Sequence, residues 1–299
     1  MATGKNFSLI ALLTIRGRHL FIIPFSILLS FNGWTQSRQG FIPVNDGQLY
    51  YEKNGSGPPV IFLHGICLDH RMWQQQIDYF SKSYTCINVD LRGFGKSSFP
   101  GQTPYSFHED IKVLLDSLHT AEPVVLIALS MGGKAAVNFS LAYPKQTKAL
   151  VLADAAIDGY HFKDFNLELV SIMAQQKGVD SAKQFFLNYA IFASAKNDTS
   201  VFKRLRKMIL SYSGWQWLHK NPIVGLTPPA IEQLEQIKAP VLIITGEKDI
   251  WDFQQIADIL HNNIKQSVKK QILDAGHMCN MEKPDVFNRL VSDFLINGE

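Results

Sequence analysis

Cysteine is scarce in this sequence: 299 residues hold three, Cys67, Cys86 and Cys279. A disulfide scaffold needs a dense and usually even set, so that class is excluded and at least one thiol stays unpaired within the chain. Cys86 falls in an apolar run and reads as a small buried hydrophobe. A bridge between Cys67 and Cys279 stays open for an oxidising compartment. Charge is thin as well, with 18% Asp, Glu, Lys and Arg against 46% hydrophobic residues. That balance excludes disorder and leaves enough apolar chain for one large core, or two modest ones. The formal net charge of +3 has a local origin. Residues 1–35 hold Lys5, Arg16 and Arg18 and no Asp or Glu, leaving 26 Lys and Arg against 26 Asp and Glu in the remaining 264 residues. A neutral body without a basic stripe argues against nucleic acid as a partner. Long apolar runs are missing too. The run Leu20 to Phe31 (LFIIPFSILLSF) has 12 residues and contains Pro24, short of the roughly 20 that a spanning helix requires. No His or Cys pair stands at ligand spacing near acidic partners, so no metal is expected.

What the N-terminus does carry is a cationic stretch, then that apolar run, then Gly33-Trp34-Thr35, with small residues at the two positions a signal peptidase reads. This pattern predicts a signal peptide over residues 1–35, cleavage before Gln36 and a secreted or periplasmic protein without stable membrane insertion after processing. A retained membrane anchor and a buried N-terminal helix are the alternatives.

Beyond Gln36, Phe41 to Val44 and Gln48 to Lys53 flank Asn45-Asp46-Gly47 and predict a hairpin, because Asp-Gly supplies the positive φ of a tight turn. Unbroken apolar runs follow at Pro59 to Leu63, Thr85 to Val89, Val124 to Leu129, Ala149 to Ala153 and Val241 to Ile244. Runs without polar alternation are strands covered on both faces, as in a parallel sheet. Helical periodicity lies between them, for example Phe107, Ile111, Leu114, Leu115 and Leu118. The alternation predicts an α/β class with a mostly parallel, doubly wound sheet. From Ile157 to Pro228 the strand runs stop. Three helical stretches are expected there, one of them carrying Phe162, Phe165, Leu169 and Ile172 on one face. The core is thus assigned to 36–156 and 229–299, and 157–228 to a helical cap inserted between two strands. Eleven of the 58 residues from Tyr160 to Trp217 are aromatic. An aromatic-rich cap suits an apolar pocket, with Trp215 and Trp217 as substrate-binding candidates, although most such rings can equally hold cap helices together. The cations Lys203, Arg204, Arg206 and Lys207 alternate with Leu205, Met208 and Ile209 and read as the solvated face of an amphipathic helix.

The Val124 to Leu129 strand runs into Ser130-Met131-Gly132-Gly133 and a helix-like stretch, Lys134 to Tyr143. A serine on a sharp strand-to-helix turn has its hydroxyl raised above the sheet beside backbone N–H groups at a helix N-terminus, and the bend needs small neighbours. At Ala128-Leu129-Ser130-Met131-Gly132 the chain resembles the α/β-hydrolase family, whose nucleophile elbow reads G-x-S-x-G. Ala128 departs from the first glycine but keeps the small size. Asp249 follows the Val241 to Ile244 strand, and His277 stands in Asp274-Ala275-Gly276-His277 after Val268 to Leu273. The order serine, acid, histidine is the family's, each at the end of a strand.

The resemblance runs from about Phe41 to Glu299 and implies a catalytic triad. Ser130 is the nucleophile, His277 its base, and Asp249 fixes the histidine tautomer; Asp154, after the preceding strand, is a rival acid. It further implies that the backbone N–H groups of Ile66, after His64-Gly65, and of Met131 form the oxyanion hole, with His64 itself structural. Asp90 to Ser97 matches a family turn but lacks a dinucleotide glycine fingerprint, so no cofactor is expected. Serine at the elbow implies acyl-enzyme chemistry on a small-molecule carboxylic ester, lactone or thioester, giving a carboxylesterase. Aminopeptidases, carbon–carbon bond hydrolases and cofactor-free peroxidases share the triad, and a non-catalytic binding protein on the same fold is the alternative from another class.

Overall fold

The strands form where β-branched and aliphatic residues cluster between turn residues, and in a computed structural model that describes residues 38–297 they build one eight-stranded sheet. The expected signal peptide lies outside the described residues. The hairpin comprises β1 (Arg38–Val44) and β2 (Gly47–Asn54), with Asp46 at φ 63° in the turn. Then come β3 (Pro59–Leu63), α1 (Gln74–Phe80), β4 (Thr85–Val89), α2 (Phe107–Ser117), β5 (Val124–Leu129), α3 (Met131–Ala142) and β6 (Thr147–Ala153). After β6 the chain runs through α4 (Glu168–Lys177), α5 (Val179–Phe186), α6 (Thr199–Ser211) and the single turn α7 (Trp215–Leu218). It returns to the sheet as β7 (Val241–Gly246), α8 (Trp251–Asn263), β8 (Ser267–Ile272), α9 (Cys279–Glu282) and α10 (Pro284–Asn297).

The strand order is β1-β2-β4-β3-β5-β6-β7-β8. The β1–β2 and β2–β4 pairs are antiparallel, and all others run parallel. The architecture is the α/β-hydrolase fold, with helices on both faces. Strands β3, β5 and β7 are buried at every position, as two-sided cover demands. Each large apolar side chain so buried contributes about 1.5–3 kcal/mol. Among the described residues no helix is long and apolar enough to cross a membrane. All three cysteines are free and buried, so Cys67 and Cys279 are not bridged.

Two expectations inside 157–228 need correction. Four helices stand there instead of three. Phe162 and Phe165 also precede α4, which begins only at Glu168. The cause is Asp252 at the start of α8: its buried carboxylate accepts the N–H groups of Lys163 (3.0 Å) and Asp164 (2.8 Å) and the Tyr160 hydroxyl (3.0 Å). Backbone groups claimed by a side chain are not available to a helical ladder. Phe162 and Phe165 accordingly turn inward onto Phe253, while Leu169 and Ile172 face solvent.

Candidate active site

Ser130 joins β5 to α3 at φ 53° and ψ −119°, a region that costs a non-glycine residue of order 1–3 kcal/mol. Hydrogen bonds on both sides hold it there. Its N–H donates to the Ala153 carbonyl at the end of β6 (3.1 Å), and its carbonyl accepts from Gly133 (2.8 Å) and Ala156 (2.9 Å). The helix can approach the sheet because its first turn is small: a Cβ on Gly132 would strike the Leu63 carbonyl, and one on Gly133 would strike Ala155. Ala128, fully buried, fits where the family pattern has glycine.

Asp249 sits in the loop between β7 and α8, and His277 in the loop between β8 and α9. The two meet as a buried pair, His277 Nδ1 to Asp249 Oδ2 at 2.7 Å, and Asp249 Oδ1 accepts the Ile250 N–H at 2.7 Å. With Nδ1 engaged, Nε2 is the ring nitrogen without a protein hydrogen bond among the described residues. The Phe253 ring lies 4.2 Å from the imidazole, centroid to centroid. Phe253 also lines a cavity of about 220 Å³ together with Ser130, Ile66, Met131, Phe162 and Phe165. Both expected oxyanion donors, Ile66 and Met131, therefore border the cavity into which Ser130 opens. A larger cavity of about 450 Å³, beside Cys67, Arg71, Lys96 and Tyr212, contains none of the three triad candidates.

His64 is fully buried, with Nδ1 against the Gly65 carbonyl (2.8 Å) and Nε2 accepting the Leu91 N–H (2.9 Å). Burial lowers its pKa, and both nitrogens are occupied by backbone, which ties the end of β3 to the loop after β4. Trp215 and Trp217 do not line the cavity. Trp217 packs against Phe186 and Tyr212, and Trp215 stacks on Phe99. Gln216, between them on the one-turn helix α7, faces the cavity instead, since neighbouring helical residues point about 100° apart. Lys134 and Asn221 also line it and were not anticipated. Lys134 could have been found from its place one helical turn after Ser130; its ammonium is paired with Asp158. The cations of α6 stay away, and Leu205, Met208 and Ile209 form its buried face.

Among the described residues, two clusters bring three potential ligand groups within 4.8 Å of one another: Asp154, Asp249 and His277, and Asp69, His70 and Asp90. In the second cluster Asp69 is held by the Arg71 fork (2.5 and 2.7 Å) and His70 Nδ1 by Asp90 (2.8 Å), in the first His277 Nδ1 is taken by Asp249 (2.7 Å), and we assign neither as a metal centre.

Residues 58–284 match the family model for the alpha/beta hydrolase fold. The chain belongs to the α/β-hydrolase family and is a hydrolytic enzyme. It is 28% identical over 263 residues to the AB hydrolase superfamily protein YisY of Bacillus subtilis, covering 82% of this chain and 94% of that one. Carboxylesterase YbfK of the same organism is 26% identical over 274 residues, with 88% and 89% covered. The crystal structure of an enol-lactonase from Burkholderia xenovorans LB400 superposes with a TM-score of 0.75 at 22% identity, over 86% of this chain and 100% of that one, a likeness of fold.

Proposed function

We propose that the protein is a serine carboxylesterase acting on small, apolar esters through an acyl-enzyme, with 157–228 as a cap on a core of 36–156 and 229–299. Ser130 Oγ attacks the ester carbonyl as His277 Nε2 takes its proton, Asp249 holds the imidazole and offsets its positive charge, and the Ile66 and Met131 N–H groups bind the oxyanion. His277 then protonates the departing alcohol, and water repeats the sequence on the acyl group. The observation that carries this reading is the shared cavity: Ser130 opens into a space walled by Ile66, Met131, Phe162, Phe165 and Phe253. The resemblance to a carboxylesterase supports the same class. The residue 1–35 pattern would deliver the activity to a secreted or periplasmic location.

An apolar cavity of this size rewards apolar acyl groups. Each added methylene is expected to raise kcat/KM about fourfold, or ~0.8 kcal/mol, until the cavity is full. Initial rates on p-nitrophenyl esters from acetate to octanoate test this. A rise that breaks at intermediate length supports the reading; acetate as the best substrate, with every carbon costing rate, overturns it.

A further inference from the structure

Asp154 is a buried acid that this mechanism leaves unused. It follows β6 at φ 41°, 1% exposed. Its Oδ1 accepts the Gly246 N–H at 3.0 Å, whereas Oδ2 is enclosed and no N–H or O–H donor of the described residues reaches it; the Cys279 thiol is a weak donor beside the carboxyl. One oxygen of Asp154, one of Asp249 and a ring nitrogen of His277 all lie within 4.8 Å of each other. The groups acting on Asp154 are the Asp249 carboxylate, the Cys279 thiol of α9 and the Gly246 N–H, with no cation among them. Glu282, also on α9, faces the same thiol and is held by Ser194 Oγ (2.6 Å) and the Gly276 N–H (3.1 Å).

Two carboxylates closed off from water and facing one imidazole do not both ionise, because neighbouring like charges in a dry site repel strongly. Asp249 already accepts a hydrogen bond on each oxygen, from His277 and from Ile250. Asp154 has the bare oxygen, and a proton there turns an orphaned acceptor into a donor. Burial first, and the Asp249 charge second, push its carboxyl well above the usual carboxylate range. Burial and the adjacent Asp154 push the Cys279 thiol up as well.

We propose that Asp154 is a positioning residue of the acid–base pair: an un-ionised carboxylic acid with its proton directed to Asp249, so that one negative charge faces His277, and able to assume that charge when Asp249 is removed. The inference rests on the reading of Asp249 and His277 as acid and base, so its test has one readout with turnover and one without.

The readout without turnover is thermal unfolding of the wild type and Asp154→Asn between pH 4 and 8. A carboxyl that keeps its proton in the fold but ionises in the unfolded chain costs the wild type more stability as pH climbs above about 4. The Tm of the variant relative to wild type is therefore expected to rise steadily with pH; a constant gap overturns the proposal. Should the variant not fold, infrared spectroscopy of the wild type replaces it, and the carbonyl band of an un-ionised carboxylic acid must persist at pH 8. In turnover, Asp249→Asn is expected to lose on the order of 10²-fold in kcat/KM, and the double variant with Asp154→Asn on the order of 10⁴-fold, the usual cost of an absent triad acid. Equal losses overturn the reserve role. A harmless Asp249→Asn alongside a widening Tm gap overturns the reading of Asp249 itself, and the positioning role with it.

Discussion

Two buried histidine–aspartate pairs in this molecule have almost the same geometry and opposite surroundings. His277 meets Asp249 at 2.7 Å, and His70 meets Asp90 at 2.8 Å, each through Nδ1. Around His70 every valence is used: Asp90 also accepts the N–H groups of His70 (2.7 Å) and Lys96 (2.8 Å), and the far ring nitrogen faces Glu52 at 3.4 Å. That pair fastens the loop after β4, and a Cβ on Gly95 would run into the Asp90 carboxylate. The His277 ring lies instead against Phe253, whose side chain lines the cavity that holds Ser130. The hydrogen-bonded pair does not by itself make a base. His277 differs from His70 in carrying no protein hydrogen bond on its second ring nitrogen among the described residues and in packing its ring on a residue that lines the Ser130 cavity.

The sharpest way to break this comparison is to remove each histidine in turn. His277→Ala is expected to lower kcat/KM by on the order of 10⁴-fold with a small change in Tm. His70→Gln is expected to lower Tm while kcat/KM stays within about threefold. Steady-state kinetics and thermal unfolding on both variants check this, and a reversed pattern would exchange the roles of the two pairs.

A smaller effect separates the pairs by pH. Burial pulls the His70 pKa down, but the Asp90 hydrogen bond and the charges of Asp90, Asp69 and Glu52 outweigh it, and the net direction is up. A histidine with a raised folded pKa lends stability that is complete below the unfolded value, about 6.5, and is lost as pH rises through the folded one. The Tm advantage of wild type over His70→Gln should thus be largest near pH 6 and shrink toward pH 9. Growth of the advantage with pH would mean that His70 is neutral in the fold.

The same contrast separates what was legible in the sequence from what was not. Pro59–Leu63, Thr85–Val89 and Val124–Leu129 stand as strands with the bounds their apolar runs imply, because two-sided burial writes itself as an unbroken run. Ser130, Asp249 and His277 each had a strand before them to mark their place. Within 157–228 the local signal fails. The spacing of Phe162, Phe165, Leu169 and Ile172 mimics a helix, yet the backbone at 163–164 answers to Asp252, some 88 residues away, and no periodicity reports a contact of that range. The aromatic excess pointed to Trp215 and Trp217, but Trp217 is spent on packing against Phe186 and Trp215 on Phe99, leaving the cavity to residues such as Phe162, Phe165 and Gln216.

The central claim is that Ser130 is the nucleophile, and intact-mass spectrometry after treatment with a fluorophosphonate tests it most directly. The wild-type protein should gain a single probe mass, and Ser130→Ala, folded to the same Tm, should gain none. Labelling that persists in Ser130→Ala would contradict the account and move the nucleophile to another residue.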